Sequence, residues 1–224
     1  MDLTTIVSGL MEGYQRLQET HPVMGAILTT EIIFPLSDGI SQIIKDKHVD
    51  WKKVRYTAAL APIYGIMAYA AQQSGEWVGD QVYNHPLAKA ALGPNLWGNV
   101  SNIFFFVNNT LGERNGYSIE RLVEHYRSLL MNPEKKKSWW ENAKENVWGN
   151  VPQQEYRNSV VGTITIWNVF QYCNYSYIEE AMRTPASIAA SLIWMPLMSL
   201  WSLSGRRKIV MEEKRYNLPP PENE

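Results

Sequence analysis

The chain has 224 residues with a formal net charge of −1, so it carries no electrostatic footprint for nucleic acid. A single cysteine, Cys173, excludes an internal disulfide and any cysteine-based metal site. A mean hydropathy of −0.29 would suit a soluble protein, but the average hides a strong segregation of charge.

The first twenty residues hold Asp2, Glu12 and Glu19 against Arg16. They read neither as a signal peptide nor as an Arg-rich transit peptide. From 22 to 44 the only charges are Glu31 and Asp38, seven residues apart, on a face expected to include Pro35 and Gln42. A carboxylate inside an apolar segment is a functional candidate by default. Glu31 lies near the middle and is the candidate intramembrane acid, with a neutral, hydrogen-bonded carboxyl as the alternative. Asp38 falls near the segment end, where packing or solvation suffices.

Residues 56–75 carry no charge, 81–112 carry only Lys89, and neither 159–178 nor 184–205 carries any. Each gap is about 20 residues, the length at which a helix rising 1.5 Å per residue crosses roughly 30 Å of hydrocarbon. A soluble helix that long normally shows a charged face. Five hydrophobic segments are therefore predicted, at about 22–44, 54–73, 86–111, 159–178 and 185–204. The expected fold is all-α: a polytopic transmembrane helix bundle of five segments, or of four plus one re-entrant. It forms a single membrane domain over 1–224 with an extramembrane insert at 112–158. A soluble all-α protein with buried helices is the alternative.

The connections support this reading. Lys45 to Arg55 carries five bases against two acids, and "GRRK" follows the last segment. Glu76 with Asp80, and Glu179 with Glu180, mark the opposite side. Such alternation is what the positive-inside rule predicts, and it places the 112–158 connection on the side of the C-terminus. Within that connection Asn115-Gly116 makes a turn and Ser118 can cap a helix. Ile119, Leu122, Val123, Tyr126, Leu129 and Leu130 recur at helical spacing opposite Glu120, Arg121, Glu124 and Arg127. This amphipathic helix, ended by Asn132-Pro133, is expected on the ends of the spans more than on the membrane surface. Trp139, Trp140 and Trp148 follow; they are an interfacial anchor or a set of partner contacts.

The fourth segment carries a polar stripe. Trp167, Gln171 and Asn174 lie at i, i+4 and i+7 and share one helix face. In hydrocarbon a side-chain amide must find its partner inside the protein, so Gln171 and Asn174 are expected to bond across helices. Arg183 follows in the connection, and Ser187, Ser191, Trp194, Met198 and Trp201 stripe the fifth segment.

This run resembles the C-terminal signature of the Mpv-seventeen / 22-kDa peroxisomal membrane protein family: Trp167, Gln171, Asn174-Tyr175, Arg183, Trp194 and Ser199 stand at the family's spacing. Upstream, "YQRLQETHPV" with His21-Pro22 is similar to the family's opening. "SDGISQ" with Asp38 and Gln42 resembles its Gly-Asp-x-x-x-Gln, and "GDQVYNHP" with Asp80-Gln81 its Asp-Gln…Pro. The chain departs at Asn168 and Glu179, where the family has proline, and in a longer 112–158 connection. The resemblance implies a small polytopic protein of the mitochondrial inner membrane or the peroxisomal membrane, with pore-like permeability and no catalytic mechanism.

No pair among His21, His48, His85 and His125 has metal-ligand spacing, and no phosphate loop or nucleophile elbow is visible. No enzymatic activity, metal or cofactor is expected, beyond bound lipids. The functional expectation is a non-catalytic accessory subunit of a mitochondrial inner-membrane assembly, a respiratory-chain complex or ATP synthase, whose partners are lipids and other membrane subunits. The alternative is a stand-alone pore for small metabolites.

Overall fold

The structure, a computed structural model, describes residues 2–131, 138–149 and 153–216; of residues 3, 4, 6, 7 and 199–216 it describes the backbone alone. Among the described residues the chain is all-α, as expected. Helix α1 (Leu3–Thr20), which the sequence reading left without an element, leads into α2 (Pro22–Asp46), α3 (Trp51–Gln81), α4 (Pro86–Leu92) and α5 (Pro94–Arg114). The connection then contributes α6 (Ile119–Met131) and α7 (Trp139–Val147). Helix α8 (Gln153–Gly162) runs through a π-helical turn (Thr163–Trp167) into α9 (Asn168–Tyr177), and α10 spans Glu180–Tyr216.

Local chemistry sets the ends. Pro22 and Pro86 occupy first turns, where a missing N–H costs nothing. The Asp50 carboxylate accepts from the Lys52 N–H at 2.8 Å, and His85 Nδ1 accepts from the Leu87 N–H at 3.2 Å. Ser138 and Glu141 form a reciprocal capping box at the head of α7. Gly93-Pro94 divides the predicted 86–111 segment into α4 and α5: Pro94 has no N–H to continue the ladder. A Cβ on Gly93 would lie 2.4 Å from the Gly75 backbone nitrogen, so α4 and α3 cross there at a distance only glycine allows.

Helix α2 packs along α3 and α10, while α3 also lines α4 and α5; α9 closes against α4 and α10. One aromatic cluster joins Tyr56, Leu60 and Tyr64 of α3 to Leu122 of α6. A second joins Phe106, Val107 and Leu111 of α5 to Ala143 and Val147 of α7 and Met198 of α10. The expected amphipathic helix therefore sits on the bundle, through Leu122 and through Tyr126, whose hydroxyl donates to Asn108 Oδ1 at 2.6 Å. Its expected apolar face is only partly covered: Val123 and Leu130 are exposed.

Burial pushes the Tyr126 phenol up to about 12. The unfolded phenol titrates near 10, so the folded state holds this proton more tightly. That contribution is complete below about pH 10 and is lost as pH rises through 12. Thermal melts between about pH 9 and 11 should show wild type losing more stability than Tyr126→Phe; equal losses would mean the phenol is not buried in solution.

By length and hydropathy, α2 is the one described helix apolar enough to cross a membrane. Of the other predicted segments, 86–111 and 159–178 are each divided between shorter helices, 54–73 mixes Thr, Gly and Gln into its apolar run, and 185–204 extends into residues whose side chains are not described.

Candidate functional site

The polar stripe of the fourth segment converges with α3 and α10. Gln171 and Asn174 are almost wholly buried. Gln171 Oε1 accepts from Gln72 Nε2 at 3.1 Å and from Asn174 Nδ2 at 3.2 Å. The Ser187 hydroxyl lies within 3.0 Å of both Gln171 Nε2 and Asn174 Nδ2, and 2.7 Å from Gln72 Nε2. Asn174 Nδ2 also reaches the Arg183 carbonyl at 3.1 Å. Four side chains from three helices thus share one hydrogen-bonded knot, with the Oε1 of Gln72 and the Oδ1 of Asn174 left over as acceptors.

Below the knot lies an ion cluster. Glu76 of α3 bonds Lys89 of α4 at 2.7 Å through one oxygen and Arg183 of α10 through the other. Arg183 also donates from Nε to the Ile178 carbonyl at 3.0 Å. The Tyr175 ring packs beneath both cations, 5.2 Å from the Arg183 guanidinium and 6.0 Å from Lys89 Nζ, and its hydroxyl donates to the Gln72 carbonyl. Room for this comes from Gly75 and Gly79. A Cβ on Gly75 would fall 2.0 Å from the Tyr175 hydroxyl, and one on Gly79 would strike the Lys89 stem at 2.1 Å.

On the other side of the knot a cavity of about 100 Å³ opens between α3, α5, the π-helical turn and α10. Gln72, Asn102, Thr163, Ser187 and Ser191 give it polar walls, and Phe34, Phe105, Trp167 and Trp194 aromatic ones. Asn102 donates to Thr163 Oγ1 at 3.1 Å, tying α5 to the π-helical turn. The rings of Trp167 and Trp194 pack in a tilted arrangement with centroids 5.5 Å apart, so two members of the predicted motif meet in its wall.

The remaining predicted residues divide. Asp38 and Gln42 are buried as a second polar cluster: Gln42 Nε2 and Thr57 Oγ1 donate to Asp38 Oδ2 at 3.0 and 3.2 Å, and Lys53 stands 3.8 Å away. Glu31, two turns earlier on the same helix, does not share that setting: it is exposed, because α3 covers α2 at the level of Asp38 and no described element covers it at the level of Glu31. His21 and Pro22 serve the α1–α2 corner, and Asp80 and Gln81 are exposed at the end of α3, away from the knot. Ser199 lies outside the residues whose side chains are described.

The three tryptophans also divide. Trp139 turns inward, 6.3 Å from Phe104 and against the second cluster, so it is a packing residue. Trp140 and Trp148 are exposed, their rings tilted against each other at 5.6 Å, with Tyr156 adjoining Trp148 at 6.2 Å.

Gln72, Glu76 and Lys89 were missed as partners of the motif. Two signals existed: an amide in an otherwise uncharged run, and glycines four apart at 75 and 79, the spacing that lets helices approach. Compared with known proteins, the chain matches no family model, no curated protein and no solved structure.

Proposed function

We propose that this is a polytopic helical membrane protein acting as a non-catalytic accessory subunit of a larger mitochondrial inner-membrane assembly, a respiratory-chain complex or ATP synthase. One observation carries the membrane part: beside its apolar clusters the bundle buries amides and hydroxyls, and it turns large aliphatic side chains outward. Amides and hydroxyls such as Gln72, Asn102, Asn108, Gln171, Asn174 and Ser187 are buried, while Leu28, Ile32, Leu36, Ile66, Leu96, Val100, Ile164, Val169 and Ile193 face outward. Water favours the reverse arrangement, and hydrocarbon favours this one. The ends fit as well. The Lys53–Asp38 pair and the Glu76 cluster are separated along α3 by 23 residues, roughly 35 Å at 1.5 Å each, which is one bilayer.

For the subunit part, the exposed Trp140–Trp148 pair on an added connection offers a contact surface that a lone pore does not need. The resemblance to the Mpv-seventeen / 22-kDa peroxisomal membrane protein family supports an organelle membrane, the mitochondrial inner membrane first and the peroxisomal membrane second. The second reading, a pore for small metabolites, is favoured by the polar walls of the central cavity.

Cysteine accessibility tests the membrane reading. In a Cys173→Ser background, cysteines replacing Ile193 (77% exposed) and Leu130 (86% exposed) would react equally fast with an aqueous maleimide in a soluble protein. In liposomes the membrane reading expects Leu130→Cys to react and Ile193→Cys to stay inert. Native electrophoresis in mild detergent then separates the roles: comigration with a large energy-transducing complex supports the subunit, and a small species that conducts in liposomes supports the pore.

A further inference from the structure

We infer that the outer face of α2 is the docking seam for a membrane helix of a different protein, one that brings a basic side chain to Glu31. The inference rests on the membrane reading above and names the kind of partner.

Glu31 lies nine residues into α2, roughly 14 Å along the helix that is apolar enough to cross a bilayer. Its side chain is exposed and surrounded by the exposed Met24, Leu28, Ile32 and Leu36. Asp38, the other acid within a predicted segment, behaves differently, being bonded by Gln42, Thr57 and Lys53; so does Glu76, just past the second segment, bonded by Lys89 and Arg183. An ionisable group in hydrocarbon faces the protein interior or a partner, since lipid tails offer it nothing. Glu31 faces outward.

The backbone at the same spot is also short of a donor. Pro35 sits inside α2, four residues on, and has no N–H for the Glu31 carbonyl. One residue therefore presents both a carboxyl and a freed carbonyl on an apolar face. Pro35 and Gly39 continue the stripe at i+4 and i+8, and a Cβ on Gly39 would meet nothing within 4 Å. The result is a shallow groove, which lets another helix come close enough for its side chain to reach both acceptors.

Charge decides what fills it. The five segments contain only Arg55 and Lys89 as bases, both at segment ends, and Lys89 is already bonded to Glu76. A second copy of this chain has no cation to offer at the depth of Glu31, and a two-fold contact along α2 would set carboxyl against carboxyl. The complementary occupant is a helix of another protein with a lysine, arginine or histidine near its middle.

The test uses the full chain, labelled in detergent with a fluorophore on its one native cysteine, Cys173, which is exposed, and then reconstituted into phosphatidylcholine liposomes. Energy transfer is read to synthetic Leu/Ala helices of about 20 residues bearing a single central Lys, Glu or Ala. The Lys helix should bind about tenfold more tightly than the others, a difference of about 1.4 kcal/mol. Glu31→Leu should abolish that preference, and Gly39→Leu should weaken binding by blocking the groove. Because Glu31 is exposed and a Cβ on Gly39 meets nothing within 4 Å, both variants should melt like wild type. Equal binding of the three helices overturns the seam, as does Glu31-dependent transfer between two labelled copies of the chain. A chain that fails to float with the liposomes overturns the membrane reading itself, a result distinct from either.

Discussion

Replacing Glu76 by leucine should lower stability by about 3 to 5 kcal/mol, the range for removing one member of a buried ion pair. The side chains of Glu76, Lys89 and Arg183 are only about one-seventh exposed, at 14%, 14% and 16%. Without the carboxylate, Lys89 and Arg183 would face each other over the Tyr175 ring with no counter-charge. Neither can withdraw freely, because the Lys89 stem lies against Gly79 and Arg183 is also held by the Ile178 carbonyl. Asp80→Leu, one turn further on and exposed, should stay within about 0.5 kcal/mol of wild type. Thermal unfolding in detergent compares the two directly. Similar melts for Glu76→Leu and Asp80→Leu would mean that the cluster is solvated and not structural. Adding Lys89→Met to Glu76→Leu should recover part of the loss by removing one stranded charge.

Gln171→Leu should cost about 2 to 3 kcal/mol. Its oxygen accepts from Gln72 and Asn174, and its nitrogen donates to Ser187. Bonds of this kind between membrane helices average about 0.6 kcal/mol each, and stranded buried donors add about 1 to 3 kcal/mol more. A double-mutant cycle with Gln72→Leu should show coupling, since the second substitution removes the donor that the first strands. The same variants separate the two functional readings. If Gln171→Leu leaves the melt unchanged and alters solute flux in liposomes, the knot lines a conduit. Loss of stability with flux unaffected identifies it as the joint between α3, α9 and α10.

The helical segments were legible because charge and backbone chemistry are local. A twenty-residue run without charge, a proline in a first turn and an Asn-Gly turn act within their own stretch of chain, so α2 and α6 follow directly from the sequence, whereas α3 runs on to Gln81, past the predicted end at 73. The break at Gly93-Pro94 was equally local, yet it was hidden by a continuous apolar pattern on either side. Helix α1 was overlooked for a similar reason: its evenly mixed residues raise no charge-free signal, although Tyr14 and Thr29 join it to α2 at 2.6 Å.

For the site, spacing alone put Trp167, Gln171 and Asn174 on one face and showed that buried amides need partners. Which partners they find is a matter of helix crossing, and that depends on the whole bundle. Only the tertiary structure brought Gln72 and Ser187 to Gln171, paired Glu76 with both Lys89 and Arg183, and turned Trp139 inward while leaving Trp140 and Trp148 outside. It also reversed the two acids of α2. Seven residues is close to two full helical turns, so sequence spacing set Glu31 and Asp38 on one side of the helix. The burial of a side chain is decided by the neighbour at its own level, however: α3 covers Asp38, and no described element covers Glu31.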